Sequence, residues 1–218
     1  MKPSNIEIIY CDNHLLVASK PPGLLTQPDE SGGDSLETFA KAWVKQEYNK
    51  PGAVYLHAVH RLDKPVSGLV LFARTSKALS RLNEQSRNQE IQRIYIAEVE
   101  GILPAKEGRL DHYLIHGDHR ALIAKQSDKG AKHARLTYNV LHFRPHTTLI
   151  SIELETGRYH QIRAQFGAEG YPILHDERYG AQAGDGIAIH LHSAKLAFEH
   201  PVTKEVLTFD SPPPFADV

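Results

Sequence analysis

Apolar and polar positions alternate with two distinct periods along this chain. Residues 6–10 (IEIIY) and 14–20 (HLLVASK) have the short, β-branched character of strands, and Asp12-Asn13 supplies a turn between them. Residues 20–34 (KPPGLLTQPDESGGD) are rich in Pro and Gly and read as a loop. Asp34 precedes Glu37 by three residues, a capping-box spacing, and Leu36, Phe39, Ala40 and Val44 then fall on one helical face. GLVLFAR from Gly68 is an apolar strand, and Thr75 or Ser76 caps a helix that runs to about Asn88. RIYIAEVEG returns as a strand with Tyr95, Ala97 and Val99 on one side.

The second half is richer in β-structure. RALIAKQ, ARLTYNVLHF and TTLISIELET carry the alternation of antiparallel strands. HQIRAQFGAEG reads as a short helix stopped by glycine, and AIHLHSAKLAFEH with EVLTF forms a closing strand pair around His200-Pro201. The pattern predicts an α+β fold: a mixed, mainly antiparallel central β-sheet flanked by helices and loops. Residues 1–218 are expected to form one domain, with room for two subdomains sharing one sheet.

Composition narrows the class. The 218 residues are 41% hydrophobic and 23% charged, ordinary for a globular chain with a real core. No apolar run is long enough to cross a bilayer, and the N-terminus lacks the apolar stretch of a signal peptide. Cys11 is the lone cysteine, so no internal disulfide forms. These features predict a cytoplasmic monomer with no membrane and no evident protein partner.

The net charge of −1 hides a gradient. Arg61, Lys64, Arg74, Lys77, Arg81, Arg87 and Arg93 face only Asp63, Glu84 and Glu90 in their stretch. Arg120, Lys125, Lys129, Lys132 and Arg135 face Asp128 alone. Local basic faces permit phosphate recognition, although charge alone fits a solvated surface as well.

Two charged knots interrupt this pattern. The first, His60-Arg61-Leu62-Asp63, sits at the edge of an apolar strand. The second, residues 156–163 (TGRYHQIR), lies at a strand-to-helix junction, where backbone N–H groups and cations favour anions. An arginine from the second knot is suited to hold the Asp63 carboxylate ionised. The fourteen histidines include His112, His116, His119, His190 and His192, but no H-E-x-x-H occurs, and no metal site is expected.

With these motifs in view, the chain resembles an RluA-type pseudouridine synthase over nearly its whole length. KPPGLLTQP resembles the family's KPxGL loop, and HRLDKPVSGLVLFAR its HRLDxxTSGLLLxA motif. RIYIAEVEG is similar to its tyrosine-bearing strand, and LETGRYHQIRAQFGAEGYPILHDERYG to its TGRxHQIR…GxPIxGDxxYG block. HLHSAKLAFEHP resembles the closing LHAxxLxFxHP. Val66 replaces the usual Thr, and His175-Asp176 replaces the usual Gly-Asp. The resemblance implies the pseudouridine synthase fold without a small RNA-binding S4 domain. It also implies isomerisation of uridine in a structured RNA, a ribosomal or transfer RNA stem-loop.

The resemblance implies roles as well. Asp63 is the essential aspartate. Tyr95 stacks on the target base and assists proton removal at its C5. Arg163 pairs with the aspartate, and Arg61 fills the gap left by the extruded uridine. His60, Arg158 and His160 are expected to contact RNA, with a purely structural hydrogen bond equally open to His160. The chemistry exchanges neither electrons nor phosphate, so no cofactor is expected. Two other classes fit Asp63: a glycosidic hydrolase pairing it with Glu155 or Asp176, and a catalytically silent RNA-binding module.

Overall fold

The computed structural model describes residues 6–30, 32–184 and 186–216. They contain eleven strands, mostly antiparallel, and three α-helices, which is the α+β architecture expected. The chain divides into two compact units, residues 1–92 with 193–212, and residues 93–192 with 213–218.

In the first unit, β1 (Glu7–Cys11) and β2 (Leu15–Lys20) form an antiparallel hairpin. The Asp12 carboxylate caps its turn, accepting from the His14 and Leu15 N–H groups at 2.7 Å each. β2 pairs with β4 (Ser67–Ala73), which also carries the two-residue β3 (His57–Ala58). Next to β4 lies β10 (Leu191–Glu199), itself paired with β11 (Val206–Asp210).

Every residue of β4 is buried, so both faces of the strand are covered. Leu69, Leu71 and Ala73 share a core with Leu15 and Val17 of β2 and with Ala78 and Leu82 of α2 (Ser76–Arg87). Thr75 caps α2, its hydroxyl accepting from the Ala78 N–H at 3.1 Å. Gly68 has φ +110°, and a Cβ there would stand 2.3 Å from the Ser193 carbonyl oxygen, so only glycine allows this approach.

α1 (Leu36–Glu47) buries the predicted Leu36, Phe39, Ala40 and Val44, but its cap differs from expectation. Ser35, not Asp34, accepts from the Thr38 N–H at 3.1 Å, while Asp34 is exposed. Glu37 turns sideways to Lys41 and Gln27 instead of closing a capping box.

The second unit is a strand series in the order β5 (Gln92–Glu100), β9 (Thr147–Leu154), β8 (Lys132–Phe143), β6 (Glu107–His116) and β7 (Ala121–Ala124). All four pairings are antiparallel. Tyr95, Ala97 and Val99 are buried, as the alternation predicts. β6 was not anticipated. Its Glu107, Arg109 and Asp111 are exposed, and Gly108 and His112 break the apolar signal on its inner face. α3 (Gln161–Ala168) packs against β6 and β7, with Ala164 in a small core beside Leu114, Ala121, Ala134 and Tyr179.

Candidate active site

In the first unit the Asp63 segment is held by its backbone. The Val66 N–H donates to the Asp63 carbonyl at 3.0 Å, closing a turn that any non-proline residue can close, so the loss of a threonine at position 66 leaves it intact. Thr26 brackets the preceding residue: its hydroxyl donates to the Leu62 carbonyl at 2.9 Å and accepts from the Leu62 N–H at 3.0 Å. On the other side, the Lys64 carbonyl accepts from the Gly23 N–H at 2.8 Å and from Lys20 Nζ at 3.2 Å.

Lys20 is the unexpected member of this group. It is 1% exposed, and its amine also donates to the carbonyls of Leu24 and Pro21. Burial pushes its pKa down to about 7, and the negative charge of Asp63 pulls it back toward the ammonium form. The Pro/Gly-rich loop therefore wraps a buried amine and grips both flanks of Asp63. His60 Nε2 accepts from the Leu71 N–H at 3.2 Å, which anchors the knot to β4, and Arg61 is exposed.

In the second unit the other knot closes around Arg163, which is 3% exposed. Its Nε and Nη2 donate to the two oxygens of Asp176 at 2.7 and 2.8 Å, a bidentate pair with both partners buried. Its Nη1 lies 3.1 Å from His160 Nε2. Arginine has only donors, so Nε2 is the accepting nitrogen and the ring proton sits on Nδ1. Nδ1 then donates to the Tyr179 hydroxyl at 2.9 Å, which in turn accepts from the Ala121 N–H at 2.7 Å. Burial first, and then the positive charge of Arg163, lowers the His160 pKa to about 3, keeping the ring neutral.

His160 is thus a positioning group behind Arg163, whereas Arg158 is exposed, with Nε donating to the His133 carbonyl at 2.8 Å. Tyr95 is 6% exposed and paired with Ile152 across β5 and β9. Asp63, Arg61 and His60 therefore belong to the first unit, and Tyr95, Arg158, His160 and Arg163 to the second.

The first knot opens into β4 and the second into α3, as the sequence placed them. What sequence reasoning missed are the supports: Lys20, Thr26, and Asp176 as the partner of Arg163. Tyr179 had no assigned role beyond packing. The family departure at His175 is equally informative, because its φ of +69° is the left-handed region that glycine favours.

The histidines that invite a metal are separately employed. His112 pairs with Glu169, His116 stacks on Tyr159, and His190 meets the buried Glu98. Among the described residues no three His, Cys, Asp or Glu side chains gather as a metal site.

Comparison with known proteins decides the family. The sequence model described as RNA pseudouridylate synthase matches residues 14–168, which contain Asp63, Tyr95 and Arg163. The chain belongs to the RNA pseudouridylate synthase family. This synthase is 34% identical over 215 residues to the dual-specificity RNA pseudouridine synthase RluA of Pasteurella multocida, covering 96% of this chain and 94% of the relative. It is 33% identical over 219 residues to ribosomal large subunit pseudouridine synthase C of Escherichia coli K12, covering 94% of this chain and 66% of that protein. Among solved structures, human RNA pseudouridylate synthase domain containing 4 superposes with a TM-score of 0.80 at 21% identity, over 96% of this synthase and 89% of that chain. At that identity the likeness speaks for the fold alone.

Proposed function

We propose that this synthase isomerises specific uridines in ribosomal RNA, with Asp63 as its catalytic carboxylate and Tyr95 and Arg163 serving the same reaction. The observation that carries the reading is the grip on Asp63. A family member spends a buried lysine, a threonine hydroxyl and a glycine N–H on fixing one short turn, and that turn presents one carboxylate. Two relatives support the RNA: one named as a dual-specificity RNA pseudouridine synthase, the other for the large ribosomal subunit.

The reaction breaks the N1–C1′ bond, turns the uracil, and forms the C5–C1′ bond. The C5 proton leaves and N1 regains one, so atoms and electrons balance without a cofactor. Asp63 supplies negative charge where the sugar becomes electron-poor. The uridine leaves its stack at a cost of roughly a few kcal/mol. Stacking on Tyr95 returns about 1–3 kcal/mol, and exposed Arg61 fills the vacated space.

The hydrolase alternative is disfavoured by the carboxylates it requires. Both Asp176 oxygens are taken by Arg163, and Glu155 is paired with Arg109 and Arg135. The test is tritium release from ribosomal RNA transcripts carrying C5-labelled uridine. Wild type releases tritium without freeing uracil, and Asp63→Asn abolishes release while still binding RNA. Folded wild type that binds these transcripts yet forms no pseudouridine in them or in cellular RNA would sink the proposal.

A further inference from the structure

The second unit carries a pocket whose lining shares only Arg158 with the candidate catalytic and RNA-contacting residues described above. It has a volume of about 190 Å³, and its lining includes His116, Lys132, Arg158 and Tyr159 together with Gly130 and Gly157. Three rings form a ladder at its wall. His116 stacks on Tyr159 at 4.3 Å between centroids, and Tyr159 stacks on His160 at 3.8 Å, the planes inclined by 28° and 20°. The inner end of the ladder is rigid, because His160 is buried and held by Tyr179 and Arg163. The outer end is open to solvent: His116 is exposed, and Tyr159 is 37% exposed.

Cations frame the rings. Arg158 has its guanidinium fixed through Nε on the His133 carbonyl, while its Nη atoms keep their donors. Lys132 is exposed at the start of β8. Arg93 packs behind Gly157, its Nη1 only 2.8 Å from where a Cβ would stand. None of the described residues lining the pocket is acidic. Asp118 pairs with His119, and Asp128 caps the turn at Lys125, both outside the lining.

Tyr159 is sandwiched between the two histidines, so the open platform is the outer face of His116, backed by Tyr159. With Arg158 and Lys132 beside it and no anion, it has the chemistry that receives a nucleobase together with its phosphate. An acidic peptide would use the cations but not the ladder. We infer that this pocket is a second nucleotide subsite, which takes a base and phosphate of the substrate RNA other than the reacting uridine. The inference rests on the RNA-modifying reading, and it adds a contact that helps choose which RNA is held.

The test uses the full chain and unmodified ribosomal RNA transcripts. Protein carrying Asp63→Asn is cross-linked to the RNA by ultraviolet light, and the attached peptides are located by mass spectrometry. In parallel, KM and kcat are measured in the wild-type background for Tyr159→Ala, Tyr159→Phe and Lys132→Glu. The expected result is a cross-link on the peptide holding His116 or Tyr159. Tyr159→Ala raises KM about tenfold, with the larger part of the loss in KM, and Tyr159→Phe keeps the wild-type value. Lys132→Glu, a change at an exposed side chain that leaves packing alone, raises KM comparably and makes binding less salt-dependent.

Unchanged KM in Tyr159→Ala and Lys132→Glu, with cross-links only elsewhere, overturns the subsite even if pseudouridine forms. A fall in kcat alone in Tyr159→Ala overturns it too, since that assigns Tyr159 to positioning His160. If wild type forms no pseudouridine but cross-links at Tyr159, the catalytic reading fails and the RNA subsite stands.

Discussion

Replacing Lys20 by methionine removes the amine while keeping a side chain of similar bulk. The lysine is 1% exposed and donates to Leu24, Pro21 and Lys64 carbonyls at 2.7, 3.0 and 3.2 Å. A buried acceptor stripped of its donor costs about 1–3 kcal/mol, and relief of the ammonium's desolvation offsets part of the total. The balance is a loss of about 3 kcal/mol near neutral pH, which for a chain of this length lowers Tm by roughly 6–12 °C. The pH dependence has a definite sign. Burial lowers the folded pKa to about 7, against about 10.4 in the unfolded chain. Between these values the unfolded state holds a proton that the folded state has released, so wild-type stability rises with pH by about 1.4 kcal/mol per unit. The variant has no such titration. Its deficit relative to wild type therefore widens by roughly 2.3 kcal/mol between about pH 7 and pH 9, the slope at pH 7 being half its full value. Urea unfolding followed by circular dichroism at several pH values measures both effects. An unchanged midpoint near pH 7 refutes the carbonyl grip. A deficit that stays flat with pH refutes the titration, and means that the three carbonyls keep the amine charged throughout.

Two further outcomes follow from the second unit. Asp176→Asn breaks the buried bidentate pair with Arg163, a loss of about 3–5 kcal/mol. Thermal melting detects this, and a Tm within 2 °C of wild type, roughly 1 kcal/mol or less, means that the pair contributes little. At position 175 the left-handed backbone sets the order of tolerance: His175→Gly stays within about 1 kcal/mol of wild type, whereas β-branched His175→Val loses more than about 2 kcal/mol. Equal stability of the two variants in denaturant unfolding contradicts a backbone origin.

Elements with an uninterrupted period were legible in the sequence, and those held by polar contacts across long separations were not. α2 was bounded at Thr75 and Asn88 because both ends carry a hydrogen-bonding residue beside a clean apolar face. β6 was missed because glycine and histidine occupy positions on its inward side. The cap of α1 was displaced by one residue because Asp34 and Ser35 are both good caps, and only the hydroxyl of Ser35 reaches Thr38. The two charged knots were visible as motifs, yet their supports were silent. Nothing local links Arg163 to Asp176, thirteen residues away across a turn at His175. Lys20 read as the hinge into a loop, since no pattern foretells a lysine whose amine is buried among carbonyls.

Those silent supports also bear on the kind of reaction. A glycosidase that splits its bond with water needs a second carboxylate with a face open to that water. Asp176 is 2% exposed and spends both oxygens on Arg163, so neither is turned toward water. Isomerisation makes no such demand, because the nucleophile that recloses the bond is C5 of the same uracil. Its requirement is the reverse: a carboxylate fixed at the sugar and little water to intercept the intermediate. The grip of Lys20, Gly23 and Thr26 on the backbone at either side of Asp63 holds the turn that carries the carboxylate proposed for that place.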